Sequence, residues 1–479
     1  MNRGSPSVVL INPPYLKYYG PVELAAGIVQ PIGLASIASL AEKEGINVKL
    51  FDANAERCTI NDLAKFLERY QYDIVGVPSF TMSLTSSIDV LRVAKKINPS
   101  CLTVIGGPHA TATPVELLEE YSEVDVVVRG EGEYTFVDLV RNVESKLRFK
   151  EVPGITYRHD GLIYNNPSRP LIEELDALPF PAYHMLPMKK YRPGIHHVAG
   201  CGRKLTPFCA IFTSRGCPFE CTFCASHLIW SRRVRYRSAS NILAEIDLLV
   251  NEYKIRYLDI DDDTFTINRE RCLEVLSGLI ERNYDLHFTC LTRVDCIDTE
   301  LISKMRAAGC SLIRFGVESG AQEILNNMKK GISIDEIRKA FRLTREVGVS
   351  THASFMLGYP NETYKTFRKT VDLAKQIKPD LAQFFITVPF PGTALLDTVR
   401  KKDLLIEREW KYWGQMTDKS VLRTETLSAE ELISLRKEAY RQFYLRPNFI
   451  VRRLTQIKTI EEASFYLRGL LSVIRLIFE

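Results

Sequence analysis

Three cysteines, Cys217, Cys221 and Cys224, stand in the run from Arg215 to Ala225 at C-x3-C-x2-C spacing, and no fourth cysteine follows at ligand distance. Three thiolates held so closely can grip three irons of a [4Fe–4S] cube and leave the fourth iron without a protein ligand. An open iron is a place for chemistry, whereas a structural zinc site closes four ligands around its ion. Pro218 and Phe223 fit a tight loop, and the run directly follows an apolar, strand-like stretch from Phe208 to Thr213. Two plainer readings stand beside this one. The thiols are ordinary buried side chains, or they are three quarters of a zinc site completed by His227 or Cys209.

Placed after a strand, the Cys217, Cys221 and Cys224 pattern resembles the signature of the radical S-adenosylmethionine (SAM) superfamily. The resemblance implies that the amino and carboxylate groups of SAM complete the open iron. Electron transfer then cleaves SAM to methionine and a 5′-deoxyadenosyl radical, which takes hydrogen from a substrate. It also implies an electron donor of the flavodoxin or ferredoxin type.

The elements that must position such a loop show in the apolar patterning. A second alternation of strands and helices runs from Phe208 to about Lys402, with strands expected at 210–214, 257–261, 287–292, 312–318, 352–357 and 383–388. Six β-α units are too few for a closed eight-stranded barrel, and catalytic groups belong at the carboxyl ends of such strands. Asp261, Asp262 and Asp263 follow the second strand, Arg293 the third, and Glu318 the fourth. Gly358 and Gly392 lie in the loops after the fifth and sixth. By resemblance, Asp262 and Asp263 contact the SAM amino group, Arg293 its carboxylate and Glu318 the ribose hydroxyls, while the two glycines let backbone lie against the ligand. A solvated acidic turn and an Arg293–Glu318 ion pair are the competing readings.

The first 150 residues alternate in the same way. Strands are expected at 8–12, 48–52, 73–79, 102–106 and 124–128, with helices between them, which argues for a parallel, doubly wound sheet. Ligands bind such sheets at the strand carboxyl ends. There the chain places Asn12-Pro13-Pro14, Ser79 with Thr81, Gly106-Gly107-Pro108-His109, and Gly130-Glu131-Gly132-Glu133. These motifs, with Pro31 to Leu34, resemble the cobalamin-binding domain of cobalamin-dependent radical SAM enzymes. The resemblance implies cofactor contacts from Asn12, Pro13, Pro14, Ser79, Thr81, Gly106, Gly107, His109, Gly130 and Glu131. No histidine sits in the Asp-x-His-x-x-Gly pattern that ligates cobalt from below in many cobalamin domains. Cobalamin is therefore expected without a protein imidazole beneath it.

The expected fold class is α/β. An N-terminal doubly wound, Rossmann-like cobalamin-binding domain (1–150) is followed by a Pro-rich linker (151–205). A partial (βα)6 TIM-like radical SAM barrel (206–402) and a basic helical C-terminal region (403–479) complete the chain. At 46% hydrophobic and 25% charged the composition is that of an ordinary globular chain. Eleven unevenly spaced cysteines do not read as a disulfide framework, so a reducing cytoplasm is the consistent compartment. A net charge of +5 is too weak to imply nucleic acid, and Arg232, Arg233, Arg235 and Arg237 read as a solvated or cluster-flanking loop. From Arg436 onward, nine Lys or Arg face four Glu. There Arg441, Arg446, Arg452 and Arg453 interleave with apolar residues, as in helices that lie on anionic membranes. The competing reading is packing on the barrel. These features together predict a cobalamin-dependent C-methylation, with a hydrophobic small molecule or lipid as substrate and peripheral membrane contact. Ring closure of the magnesium-protoporphyrin ester cyclase type and lipid modification are the alternatives. A methylthiotransferase is disfavoured, because residues 1–200 hold only Cys58 and Cys101 and no three-cysteine second cluster. A non-catalytic cobalamin sensor would not need the intact cysteine motif.

Overall fold

The computed structural model describes residues 6–16, 26–144, 146–197, 205–457 and 460–478. Cys201 and the side chain of His196 lie outside the described residues. The chain divides into two compact units.

The first unit is built from residues 1–18, 30–190 and 225–235. Its strands β1 (Ser7–Asn12), β2 (Asn47–Asp52), β3 (Ile74–Pro78), β4 (Leu102–Gly106) and β5 (Val126–Val128) are short apolar runs. β1, β3, β4 and β5 are nearly all buried, as strands covered on both faces must be, whereas β2 at the sheet edge buries only Leu50 and Asp52. Between them lie helices α1 (Ile32–Lys43), α2 (Ile60–Glu68), α3 (Leu84–Ile97), α4 (Pro108–Ala112) and α5 (Pro114–Glu120), with α6 (Gly132–Arg141) after β5. The sheet order is β2-β1-β3-β4-β5-β6-β7, parallel through β5. Chain direction across the sheet reverses between β1 and β3, the position where doubly wound sheets bind ligands. The segment expected as a linker departs from that reading. Strands β6 (Ile155–His159) and β7 (Leu162–Asn165) form an antiparallel hairpin that pairs with β5 and extends the sheet. β-branched Ile155 and Thr156 favour a strand, and pairing with β5 gives the backbone of this segment ladder hydrogen bonds that an isolated spacer would not have.

The second unit carries β8 (Phe208–Ile211), β11 (Tyr257–Ile260), β12 (His287–Thr292), β13 (Cys310–Glu318), β14 (Ser350–Leu357) and β15 (Leu381–Ile386). Two short strands, β9 (Ser214–Arg215) and β10 (Arg235–Tyr236), come between β8 and β11, and α7 (Ser226–Trp230) precedes β10. The six long strands form one parallel sheet in the order β15-β14-β13-β12-β11-β8. Each strand adds beside its predecessor in the same direction, so right-handed crossovers put the helices on one face, as in a barrel wall. No pairing joins β8 to β15 among the described residues, and the wall is therefore open. The helices are α8 (Ala239–Asn251), α9 (Arg269–Arg282), α10 (Thr299–Ala307), α11 (Gln322–Asn327), α12 (Ile334–Val347) and α13 (Tyr364–Ile377). Their ends follow from sequence. Ser333 and Glu336 close a capping box on α12, and Gly348 ends that helix in the left-handed conformation. Helices α14 (Ala394–Lys401), α15 (Ala429–Tyr444), α16 (Pro447–Gln456) and α17 (Ile460–Phe478) complete the chain. Helix α15 packs on β15, where the Tyr440 and Tyr444 hydroxyls accept the backbone N–H groups of Phe384 and Ala382.

Candidate functional site

The cysteine loop lies within the second unit and is held from three sides. Thr222 donates its N–H to Met328 O at 3.0 Å, and its hydroxyl lies 2.7 Å from the Tyr359 hydroxyl. Thr222 O in turn accepts the N–H of Leu395 in the first turn of α14. The loop is thus fixed by the chain after α11, the loop after β14 and the start of α14. Cys221 is buried, while Cys217 and Cys224 are half-buried. Burial raises the Cys217 thiol; a backbone hydrogen bond from Phe219 opposes this and the charge of Asp263 adds to it. Among the described residues no three His, Cys, Asp or Glu side chains converge on a position for a single ion.

Two buried cations stand beside this loop. Arg293 lies with its guanidinium 3.5 Å from the Phe219 ring centroid, and Nε and Nη2 grip both oxygens of Asp295 at 2.9 and 2.8 Å. Lys330 donates to Glu318 Oε1 at 2.8 Å, with both side chains more than nine-tenths buried. The Arg293–Glu318 ion pair, the competing reading, does not form; the pairs are Arg293–Asp295 and Lys330–Glu318. Burial alone would lower the Lys330 amine, but the Glu318 charge, the nearby Cys221 and the hydrogen bond outweigh it and raise it. Glu318 is reached through a register shift between Gly316 and Glu318, and its backbone adopts φ +66°, a left-handed conformation costly for a non-glycine residue. The bulge turns the carboxylate toward Lys330. Positive side chains near Cys221 suit three thiolates and an anionic cluster, which would be unfavourable in an apolar wall.

Asp262 occupies a different role from the one expected. It is fully buried, and its carboxylate accepts Thr213 N at 2.6 Å, Ser214 N at 3.1 Å and Ser214 Oγ at 2.7 Å, with Thr213 Oγ1 as a fourth donor. Arg271 stands 3.6 Å away. A carboxylate accepts about four hydrogen bonds, so none is left for a ligand amine. Asp262 instead ties the end of β11 to the chain leaving β8, just before the cysteines. Asp263, next along, remains the residue near Cys217. Gly358 is also explained by the protein, since a Cβ there would lie 2.8 Å from Leu432 of α15. Gly392 adopts φ +76° in an exposed turn one residue before Thr393, which caps α14.

At the carboxyl edge of the first unit, Asn12 donates to Asp52 at 2.9 Å and joins the ends of β1 and β2. Pro13 is buried, and Pro14 O accepts the Ser86 hydroxyl at 2.9 Å. Ser79 donates to Gly106 O at 2.7 Å from its backbone, and a Cβ on Gly107 would lie 2.9 Å from Ser79 O. The double glycine thus serves the close approach of the β3 and β4 ends. Thr81 Oγ1 lies 3.2 Å from His109 Nδ1, and burial lowers that imidazole to about 4, leaving it neutral at ordinary pH. Glu131 is also held by protein groups. Its carboxylate accepts Ile172 N at 2.8 Å and Arg235 Nη1 at 2.7 Å, with both charged side chains 3% exposed. Arg235 is therefore no part of a solvated loop, and Glu131 is a structural anchor. Gly130 differs: at φ +68°, nothing lies within 4 Å of where its Cβ would be. That left-handed opening is the feature of this edge that fits a large flat cofactor.

Sequence reasoning missed Lys330, Arg271 and Glu362. Lys330 lies in Lys329-Lys330-Gly331, which reads as a solvated turn between helices. Glu362 is 1% exposed; it accepts the Gly358 N–H, and its Oε1 has no partner among the described residues. Its one signal was its place in the loop after β14. His197 is buried with Nε2 3.0 Å from Asp259 Oδ2.

Residues 21–140 match the model of the B12 binding domain, and residues 211–374 that of the radical SAM superfamily. The chain is 35% identical to an uncharacterized methyltransferase of Pyrococcus horikoshii, over 88% of this chain and 89% of that one. It is 31% identical to the anaerobic magnesium-protoporphyrin IX monomethyl ester cyclase of Cereibacter sphaeroides, over 92% of this chain and 70% of the relative. Its fold is similar to that of the cobalamin-dependent SAM radical enzyme OxsB, with TM-score 0.74 and 18% identity over 98% of this chain and 72% of that one. The chain belongs to the family of B12-binding radical SAM enzymes.

Proposed function

We propose that the protein is a cobalamin-dependent radical SAM methyltransferase acting on an unactivated carbon. The observation that carries this reading is the coexistence in one chain of two loop systems. One is the braced Cys217, Cys221 and Cys224 loop with its buried Lys330 and Arg293; the other is the open Gly130 edge of a doubly wound sheet. When bound, the cluster with SAM supplies a hydrogen-abstracting radical and cobalamin supplies the methyl group. The chain's own residues do the rest. Cys217, Cys221 and Cys224 hold the cluster, and Arg293 and Lys330 offset its negative charge. Asp263 and Glu318 would serve as acceptors for the SAM amine and ribose hydroxyls. Ser79, Thr81 and His109 line the edge beside Gly130, with His109 neutral and so able to approach an apolar ring face. A reducing cytoplasm, a flavodoxin- or ferredoxin-type donor, a hydrophobic substrate and peripheral membrane contact belong to the same reading.

The test is anaerobic reconstitution with iron, sulfide and cobalamin, followed by incubation with methyl-labelled SAM, reductant and host-cell extract. The expected result is 5′-deoxyadenosine together with label in a carbon-bound methyl group, both lost in Cys221→Ala. The Cereibacter relative favours a second reading, ring closure. It would show as 5′-deoxyadenosine without label in the product. Absence of both 5′-deoxyadenosine and product would refute either reading.

A further inference from the structure

Helix α17 has two apolar faces where a surface helix needs one. Gly469, Ser472, Leu476 and Ile477 are buried, and a Cβ on Gly469 would lie 1.9 Å from Ile195 Cδ1. That side of the helix is seated closely on its own unit. On the other side, Leu467, Leu470, Leu471 and Ile474 are 56, 47, 43 and 38% exposed. Their i, i+3, i+4, i+7 spacing makes one continuous stripe along the helix. Arg468 and Arg475, both exposed, share one flank of that stripe, and no acidic residue lies between Leu467 and Phe478.

We propose that the Leu467–Leu470–Leu471–Ile474 stripe, with Arg468 and Arg475, is a docking surface for an anionic lipid membrane. Four large apolar side chains left in water cost free energy that burial in the acyl boundary would recover. The arginines then sit at the headgroup level, where anionic phosphates attract them. No helix among the described residues is long and apolar enough to cross a membrane, so α17 lies along the surface. A second copy of the chain fits the stripe less well. Pairing two α17 helices antiparallel about a two-fold axis would bring the arginine flanks of both onto one edge, four like charges together. Helix α16 also exposes Ile450, Val451 and Leu454, at 43, 60 and 65%. Arg452 donates to Lys378 O and Pro379 O, and Arg453 to the Asp380 carboxylate. The purpose of the surface, access to a hydrophobic substrate, rests on the proposed function; its existence does not.

The experiment is vesicle flotation of the reconstituted, full-length protein under anaerobic conditions. One set of vesicles is phosphatidylcholine alone, and the other contains about one-third phosphatidylglycerol. Wild type is expected to float with the anionic vesicles. Leu467→Ser/Leu471→Ser should weaken that partitioning by about tenfold or more, and Arg468→Gln/Arg475→Gln on the order of tenfold. Retained 5′-deoxyadenosine formation in the same samples shows that the variants are folded and separates failure of the surface from failure of the proposed chemistry. Wild type that stays with neither vesicle, or leucine variants that float as wild type does, overturns the proposal. So does a wild-type dimer by light scattering that the leucine substitutions convert to monomer without vesicle binding, since the stripe would then be an interface between copies.

Discussion

Glu362 offers a direct test of the electrostatics of the second unit. It is 1% exposed, and burial raises its carboxyl from 4.5 to about 8, with the Gly358 hydrogen bond only partly opposing. The sign follows from proton counting. Between pH 4.5 and about 8 the unfolded chain has lost this proton while the folded chain retains it. Folding stability is therefore complete below the unfolded value and declines as pH rises through that window. The slope is about 1.4 kcal/mol per pH unit. In Glu362→Gln the side chain is neutral at every pH and keeps an oxygen for the Gly358 N–H. The variant should lack this slope, so from pH 5.5 to 7.5 wild type should lose roughly 3 kcal/mol relative to it. The assay is urea unfolding at both pH values, followed by tryptophan emission. Trp410 and Trp413 lie in the second unit, and Trp413 packs among Val388, Leu396 and Val421. Buried Thr424 and exposed Thr426 both donate to Glu362 O, so the backbone around the site stays anchored in the variant. A constant stability offset between the two proteins across this pH range would refute the reasoning. So would a wild type that gains on Glu362→Gln as the pH rises.

The other buried pairs make parallel predictions. Arg235→Met removes the cation paired with the buried Glu131 carboxylate and should cost about 3–5 kcal/mol in equilibrium denaturation, much of it regained in Glu131→Gln/Arg235→Met. Cobalamin affinity of Glu131→Gln should stay within about threefold of wild type, and a tenfold loss would return Glu131 to the ligand contacts. Lys330→Met strands Glu318 in the same way, at about 3–5 kcal/mol with reduced iron retention. The double variant Glu318→Gln/Lys330→Met should recover the stability, and no recovery would mean the ion pair is not what Lys330 supplies.

The fold was legible because its strands are short apolar runs that allow one kind of burial. The run Leu102–Gly106 matches its predicted bounds. The hairpin of β6 and β7 was less legible, since two short strands in a proline-rich stretch reveal no partner until β5 is placed beside them. The cysteine loop was legible from spacing alone. The charged residues at strand ends were not, because a carboxylate of the same type at the same place in a strand serves equally as ligand or as anchor. What decides is how many protein donors already reach it. Asp262 has four, from residues 48 and 49 positions earlier, and Glu131 has an arginine 104 positions later. Those partners are fixed by topology, which brings the end of β11 against the chain leaving β8 and brings residues 225–235 into the first unit. The glycines divide by the same physical criterion. Gly107 and Gly358 are glycine because protein atoms crowd their Cβ positions, whereas Gly130 faces open space. A motif at a strand end is therefore evidence of crowding before it is evidence of a ligand. The positions where a required backbone shape meets empty space are the ones a cofactor has reason to fill.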